Sequence, residues 1–219
     1  MPLSVKICGL STPATVEAAL GAGADMIGFV FHPKSPRFVS PDAAARLARA
    51  ARGRVEIVAL TVNMTPEAAE DLANVLKPDW FQLHGDEAPG LAEATRQATG
   101  CRILRAIGVE TVADVTRAGI HALAADRLLI DAKAPKDAAY PGGHGRPFDW
   151  NILAALDPGL PFMLSGGLTP ETVGAALATV RGLGVGIIGV DVSSGVETAP
   201  GVKDAGKIHA FIAACRAAG

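Results

Sequence analysis

The chain has 219 residues, 49% of them hydrophobic, with 20 basic and 22 acidic side chains and a formal net charge of -2. That supplies one sizeable core and no basic surplus for a nucleic-acid partner, but it leaves phosphate recognition open, because backbone N–H groups and local dipoles hold phosphate without net charge. Three widely spaced cysteines, Cys8, Cys101 and Cys215, form no zinc-type pair and suggest a reducing compartment; with no signal-peptide pattern at the start and no apolar run of roughly 20 residues, a cytoplasmic protein is expected.

In chain order, apolar runs at 5–8, 26–31, 56–62, 80–83, 102–107, 127–131, 161–164 and 186–190 read as strands. Each is followed by a stretch of helical composition, at 12–20, 41–51, 66–76, 90–98, 112–123, 151–156, 170–180 and 203–214. Ser40-Pro41, Thr65-Pro66 and Thr169-Pro170 each place a capping hydroxyl before a proline suited to a first helical turn. Strands alternating with helices imply parallel pairing, and almost continuous apolarity implies burial on both faces. Eight such units predict a single (β/α)8 TIM barrel, α/β in class, occupying 1–219 as one domain. A doubly wound dinucleotide fold would show a G-x-G-x-x-G turn after an early strand, and none is present. The long Pro/Gly-rich stretch 132–149 reads as a functional loop.

In such barrels the active site lies at the C-terminal ends of the strands. Those ends carry Cys8, His32 with Arg37 nearby, Asn63, His84, Asp131, Ser165-Gly166-Gly167 and the run from Asp191 to Gly195. Cys8 is a buried small hydrophobe by residue habit, but at a strand mouth before a glycine it becomes a base or nucleophile if nearby charge lowers its pKa. Cys101 and Cys215 take the structural reading. Asp131 either caps the following loop or serves as a general acid whose protonated form its apolar neighbours favour.

The glycine-bearing loops after strands seven and eight occupy the recurrent phosphate position of these barrels. Gly166, Gly167, Ser193, Ser194 and Gly195 are the candidates, with two ordinary glycine turns as the plain alternative. Arg37 is either a solvated loop arginine or a two-pronged partner for a substrate carboxylate. His84 and Asp191 are placed as site-lining groups. Lys6 and Lys133 raise Schiff-base chemistry. Because positions 6 and 8 share a face of the pleat, Lys6 points into the barrel below Cys8, where it either lowers the thiol pKa or supports the lower layer.

In combination and order, Lys6-Ile7-Cys8-Gly9-Leu10, Gly28-Phe29-Val30-Phe31, Ser35-Pro36-Arg37, Val62-Asn63, Gln82-Leu83-His84-Gly85, Leu129-Ile130-Asp131, Phe148-Asp149-Trp150, Gly166-Gly167-Leu168 and the run from Gly189 to Glu197 resemble the phosphoribosylanthranilate isomerase family of tryptophan biosynthesis. The resemblance spans essentially the whole chain. It implies an Amadori rearrangement of N-(5'-phosphoribosyl)anthranilate to 1-(2-carboxyphenylamino)-1-deoxyribulose 5-phosphate, with Asp131 as general acid and Cys8 as general base. It also implies Arg37 on the anthranilate carboxylate, and Gly167, Ser193, Ser194 and Gly195 on the phosphate. It implies no metal and no cofactor. The expected partner is a small phosphorylated molecule, without nucleic acid or membrane, for a monomer or homodimer.

There are departures. His144 stands where the family usually has Thr, and no role is assigned to it; the strand-three run Ala59-Leu60-Thr61-Val62-Asn63 and Ser165 also differ. Three rivals remain. A histidine-pathway barrel isomerase uses paired aspartates, one on strand one, where this chain has Cys8. The others are a Schiff-base aldolase and a phosphate-binding barrel that has lost its chemistry.

Overall fold

In the computed structural model, which describes residues 3–135, 137–138, 140–143, 145 and 147–218, eight parallel strands close into one barrel. They are β1 (Ser4–Cys8), β2 (Met26–Val30), β3 (Glu56–Thr61), β4 (Trp80–Leu83), β5 (Arg102–Val109), β6 (Arg127–Ala132), β7 (Phe162–Leu164) and β8 (Ile187–Val192). Each strand pairs with the next, and β8 returns to β1 with Asp191 opposite Lys6. The surrounding helices are α1 (Pro13–Ala22), α2 (Pro41–Ala48), α3 (Pro66–Leu76), α4 (Pro89–Thr99), α5 (Val112–Ala122), α6 (Val173–Gly182) and α7 (Ala205–Ala217). Among the described residues no helix is long and apolar enough to cross a membrane.

Ser40 and Thr65 cap α2 and α3 as expected, accepting from Ala43 N–H and Ala68 N–H. Three segments differ from the sequence reading. The stretch after the long loop forms a 3-10 turn, Trp150–Ala155, instead of an α-helix. The Thr169-Pro170 start signal is not used: Thr169 N–H is taken by Thr172 Oγ1 at 2.9 Å, and α6 begins at Val173. Lys203 belongs to a hairpin, β9 (Glu197–Ala199) and β10 (Val202–Lys203), and α7 starts beyond it under an Asp204 cap. The reversal falls at Pro200-Gly201, where Gly201 has φ +82 and so takes a left-handed turn that other residues resist.

The pleat sends apolar residues alternately outward to the helices and inward to the barrel, where a small upper cluster of Cys8, Val30 and Leu60 lies apart from the lower one. Val5, Ile7, Ile27, Phe29, Ile57, Phe81 and Ile103 face outward against the helices. Met26, Val58, Trp80, Leu104, Leu129 and Met163 fill the lower barrel interior. At the floor the guanidinium groups of Arg102 and Arg127 lie over the Trp80 ring, 4.1 and 4.7 Å from its centre, and Trp80 donates through Nε1 to Glu56 at 3.0 Å.

A repeated device pins this floor. Asp25, Asp79 and Asp126 immediately precede β2, β4 and β6. Their carboxylates accept the N–H of Val5, Ile57 and Ile103, each at 2.7 Å, and their own N–H groups donate to the carbonyls of the same three residues. β2, β4 and β6 thereby clamp the starts of β1, β3 and β5. With the bottom closed, the polar residues of the interior, including Lys6, Gln82, Asp131, Ser165 and Asp191, collect at the opposite end.

Candidate active site

β1 delivers Cys8 to the upper rim, with its sulfur packed over Gly28 of β2. A Cβ at Gly28 would lie 3.0 Å from Cys8 Sγ and 3.4 Å from Lys6 Cε, so the bare glycine makes room for both side chains. Lys6, one layer down on the same face, is fully buried, and its Nζ lies 2.8 Å from Asp191 Oδ1. The second Asp191 oxygen accepts from Ser165 Oγ at 3.4 Å. Burial pushes the Cys8 thiol up, the Lys6 charge works against that rise, and the Asp191 charge adds to it. Burial opposes the Lys6 ammonium, but Asp191 and Cys8 outweigh it and hold the lysine above its usual value. The lysine thus points inward as the pleat predicted, and it is an ammonium and not a free amine.

Across the barrel, Asp131 ends the apolar run of β6. Oδ1 accepts from Ala132 N–H at 2.8 Å, and Oδ2 lies 3.2 Å from His84 Nε2. His84 Nδ1 is in turn 3.2 Å from Gln82 Nε2, two residues earlier on β4. With the Gln82 amide donating, Nδ1 is the acceptor and Nε2 carries the hydrogen that points at Asp131. The loop after β6 lies over this pair: a Cβ at Gly142 would stand 2.6 Å from His84 Cε1 and 3.0 Å from Asp131 Oδ2.

Arg37 arrives from the loop after β2, folded against Gly9, whose φ of +78 lets the chain turn and whose missing Cβ would lie 2.7 Å from Arg37 Cδ. It is buried. Its Nε and Nη2 fork onto Glu197 at 2.7 and 2.8 Å, and Nη2 also donates to Gly143 O. The two-pronged edge expected to meet a ligand is therefore taken by Glu197. Nη1 has no hydrogen-bond partner among the described residues, and Arg37 lines the pocket.

The loops after β7 and β8 meet: a Cβ at Gly195 would lie on Leu168 O. Gly166 and Gly167 have φ of +86 and +67, which aligns successive N–H groups. Among the described residues, none of the N–H groups of Gly166, Gly167, Ser194 and Gly195 has an acceptor, and all four residues line the pocket with Ser193. Converging backbone donors without acceptors are what an anion needs.

One pocket thus gathers Cys8, His32, Arg37, His84, Asp131, Asp191 and both glycine loops. Asn63 is drawn away from it: its side chain accepts from Asp86 N–H, and its backbone N–H donates to Glu87. Lys133 Nζ lies 3.3 Å from Asp114 and Lys6 Nζ 2.8 Å from Asp191, so both lysines considered for a Schiff base are held in ion pairs. Cys101 and Cys215 lie apart from the pocket, and burial pushes the Cys215 thiol up to about 12. His144 lies outside the described residues. Sequence reasoning gave no role to Gln82, Glu197 or Lys203. The Pro200-Gly201 turn was a legible sign of the hairpin that carries the last two.

Residues 5–214 match the family model described as N-(5'phosphoribosyl)anthranilate (PRA) isomerase. The N-(5'-phosphoribosyl)anthranilate isomerase of Afipia carboxidovorans is 54% identical over 218 residues, covering 100% of this chain and 91% of that protein. The phosphoribosyl anthranilate isomerase structure from Thermotoga maritima superposes with a TM-score of 0.85 at 34% identity, covering 98% of this chain and 99% of that one. A phosphoribosyl anthranilate isomerase in complex with reduced 1-(o-carboxyphenylamino)-1-deoxyribulose 5-phosphate gives 0.82 at 32% identity, with the same coverage.

Proposed function

The chain belongs to the N-(5'-phosphoribosyl)anthranilate isomerase family, and on that premise we propose that it carries out the Amadori rearrangement with Asp131 as general acid and Cys8 as general base. The observation that supports this most directly is the placement of Cys8 and Asp131, from β1 and β6, in one pocket with an Arg37 edge and four backbone N–H groups that have no acceptor among the described residues. The substrate's phosphate takes the N–H groups of Gly166, Gly167, Ser194 and Gly195 with the Ser193 loop. Its carboxylate meets Arg37 through Nη1, since Glu197 holds the other edge.

Asp131 gives its proton to the ribose ring oxygen. The C1'–O bond breaks, and the anilinic nitrogen supplies the electron pair that forms the imine. The Cys8 thiolate then takes the proton from C2', and those electrons move toward the imine to give the enolamine. Transfer of a proton to C1' and loss of one from the C2' hydroxyl leaves the ketone, so the overall change is an isomerisation. Gln82 orients His84, and His84 holds Asp131 toward the ring oxygen. Lys6 and Lys203 supply the positive charge that favours the thiolate against burial.

The test is turnover. N-(5'-phosphoribosyl)anthranilate generated in situ loses its fluorescence as it isomerises. Decay well above the spontaneous-hydrolysis blank, with the aminoketose phosphate recovered, is expected from purified protein. Decay at the blank rate from folded protein would refute the reaction.

A further inference from the structure

Lys203 is a buried cation to which the proposed chemistry gives no contact with substrate. It closes the β9–β10 hairpin outside the barrel, yet its side chain runs beneath the loop after β8 and is nine-tenths buried. Burial favours the neutral amine, so an ammonium there must have its donors met. They are met by Ser193 O at 2.9 Å, Ser193 Oγ at 3.1 Å and Glu197 Oε1 at 2.7 Å.

Each of these contacts leads to a different part of the pocket. Ser193 begins the loop whose Ser194 and Gly195 N–H groups have no acceptor among the described residues, and its hydroxyl donates to Cys8 O at 3.2 Å. Glu197 holds the Nε and Nη2 edge of Arg37. The hairpin turn also presses on the loop that carries the arginine: a Cβ at Gly201 would lie 2.4 Å from Pro36 O. Two cations share one carboxylate, so with Lys203 protonated the cluster carries a net positive charge next to the pocket, although burial holds the Lys203 pKa below its usual value. A Glu197–Arg37 pair alone would be neutral.

We infer that Lys203 is a positioning residue which, through Ser193 on one side and Glu197 on the other, fixes the spacing between the phosphate loop and Arg37 that a doubly anionic substrate must span. The inference rests on the proposed phosphate and carboxylate ends of the site. Without Lys203, Glu197 remains paired with Arg37, so no carboxylate is stranded, but the loop loses its tie and the pocket loses its surplus charge.

The experiment compares wild type with Lys203→Met, Lys203→Gln and Lys203→Arg, using steady-state turnover, competition by inorganic phosphate and phosphate protection against thermal unfolding. Hydrogen bonds to charged groups are worth enough that KM and the phosphate inhibition constant should each rise about tenfold or more in the Met and Gln variants, with a much smaller fall in kcat. Lys203→Arg, which keeps the charge, should recover part of the loss. If Lys203→Met does not fold, Lys203→Gln carries the comparison. Wild-type KM and phosphate affinity in a folded, uncharged variant would overturn the inference, as would a lowered melting temperature with phosphate protection unchanged. Absence of turnover in wild type would count against the proposed reaction, while phosphate protection would still decide the role of Lys203.

Discussion

Lys6 and Asp191 form a buried ion pair, Nζ to Oδ1 at 2.8 Å, one layer below the Cys8 sulfur. Such pairs are costly to desolvate, and well-packed apolar residues often replace them without loss of stability. Here the pair fixes an ammonium beneath a thiol that burial pushes up, while Asp191 limits how far the ammonium brings it back down. The charged groups acting on Cys8 are thus Lys6 from its own strand, Asp191 from β8 and Lys203 from the hairpin, and the Arg37 guanidinium also interacts with it. Activity that requires thiolate should rise with pH toward the raised thiol pKa. Lys6→Met removes a charge that favours thiolate, so the rise in kcat/KM should move to higher pH and turnover near neutrality should fall. The double variant Lys6→Met/Asp191→Asn strands no carboxylate but also removes the opposing Asp191 charge, so its profile should shift less than that of Lys6→Met. An unchanged pH profile in folded Lys6→Met would leave Lys6 with the packing role alone.

Cys8→Ser tests the base directly. Serine fits the space above Gly28, so the melting temperature should stay close to wild type. A hydroxyl is a far weaker acid than a thiol, and proton abstraction by a positioned base is typically worth about 10²–10⁴-fold. Turnover should fall by at least that order, with phosphate affinity retained. Near-normal turnover would remove Cys8 from the proposed mechanism.

The chain Gln82–His84–Asp131 makes graded predictions. Asp131→Asn keeps the size and the Ala132 contact but has no acidic proton, so ring opening should be lost while a product analogue still binds. His84→Gln should slow kcat by about one order through lost orientation, with a smaller change in KM. Normal kcat in the first variant would refute the acid role; normal kcat in the second would reduce His84 to a wall of the pocket.

The barrel and its rim were legible because both follow from short-range rules. Continuous apolar runs mark doubly buried strands, and the two-residue pleat puts Lys6 below Cys8 without reference to any distant residue. Arg37 was harder to read. Its forked edge is claimed by Glu197, 160 positions along the chain, and no local pattern encodes that pairing. Lys203 was given to a helix, since lysine is almost never fully buried unless paired and its partners lie on elements that meet it only after folding. The 3-10 turn Trp150–Ala155 was likewise read as an ordinary helix, because composition does not distinguish six residues of one from six of the other. Short-range periodicity therefore placed Cys8 and Asp131 at the rim, whereas the Arg37–Glu197–Lys203 network required tertiary structure.

The opposite end of the barrel should separate stability from chemistry. Asp79 accepts the N–H of buried Ile57 at 2.7 Å and donates its own N–H to Ile57 O at 2.8 Å, and it lies at the strand starts, away from the pocket. Asp79→Ala keeps the backbone bond but strands the Ile57 N–H, at a cost of about 1–3 kcal/mol. For a chain of this length each kcal/mol lowers the melting temperature by about 2–4 °C. The variant should melt several degrees lower, yet retain wild-type kcat and KM at a temperature where it is folded. Cys8→Ser should show the reverse, with an intact melt and lost turnover. If Asp79→Ala lowered kcat in the folded protein, the floor of the barrel would be coupled to the rim through the interior layer of Trp80 and Leu104, and the division of labour between the two ends would fail.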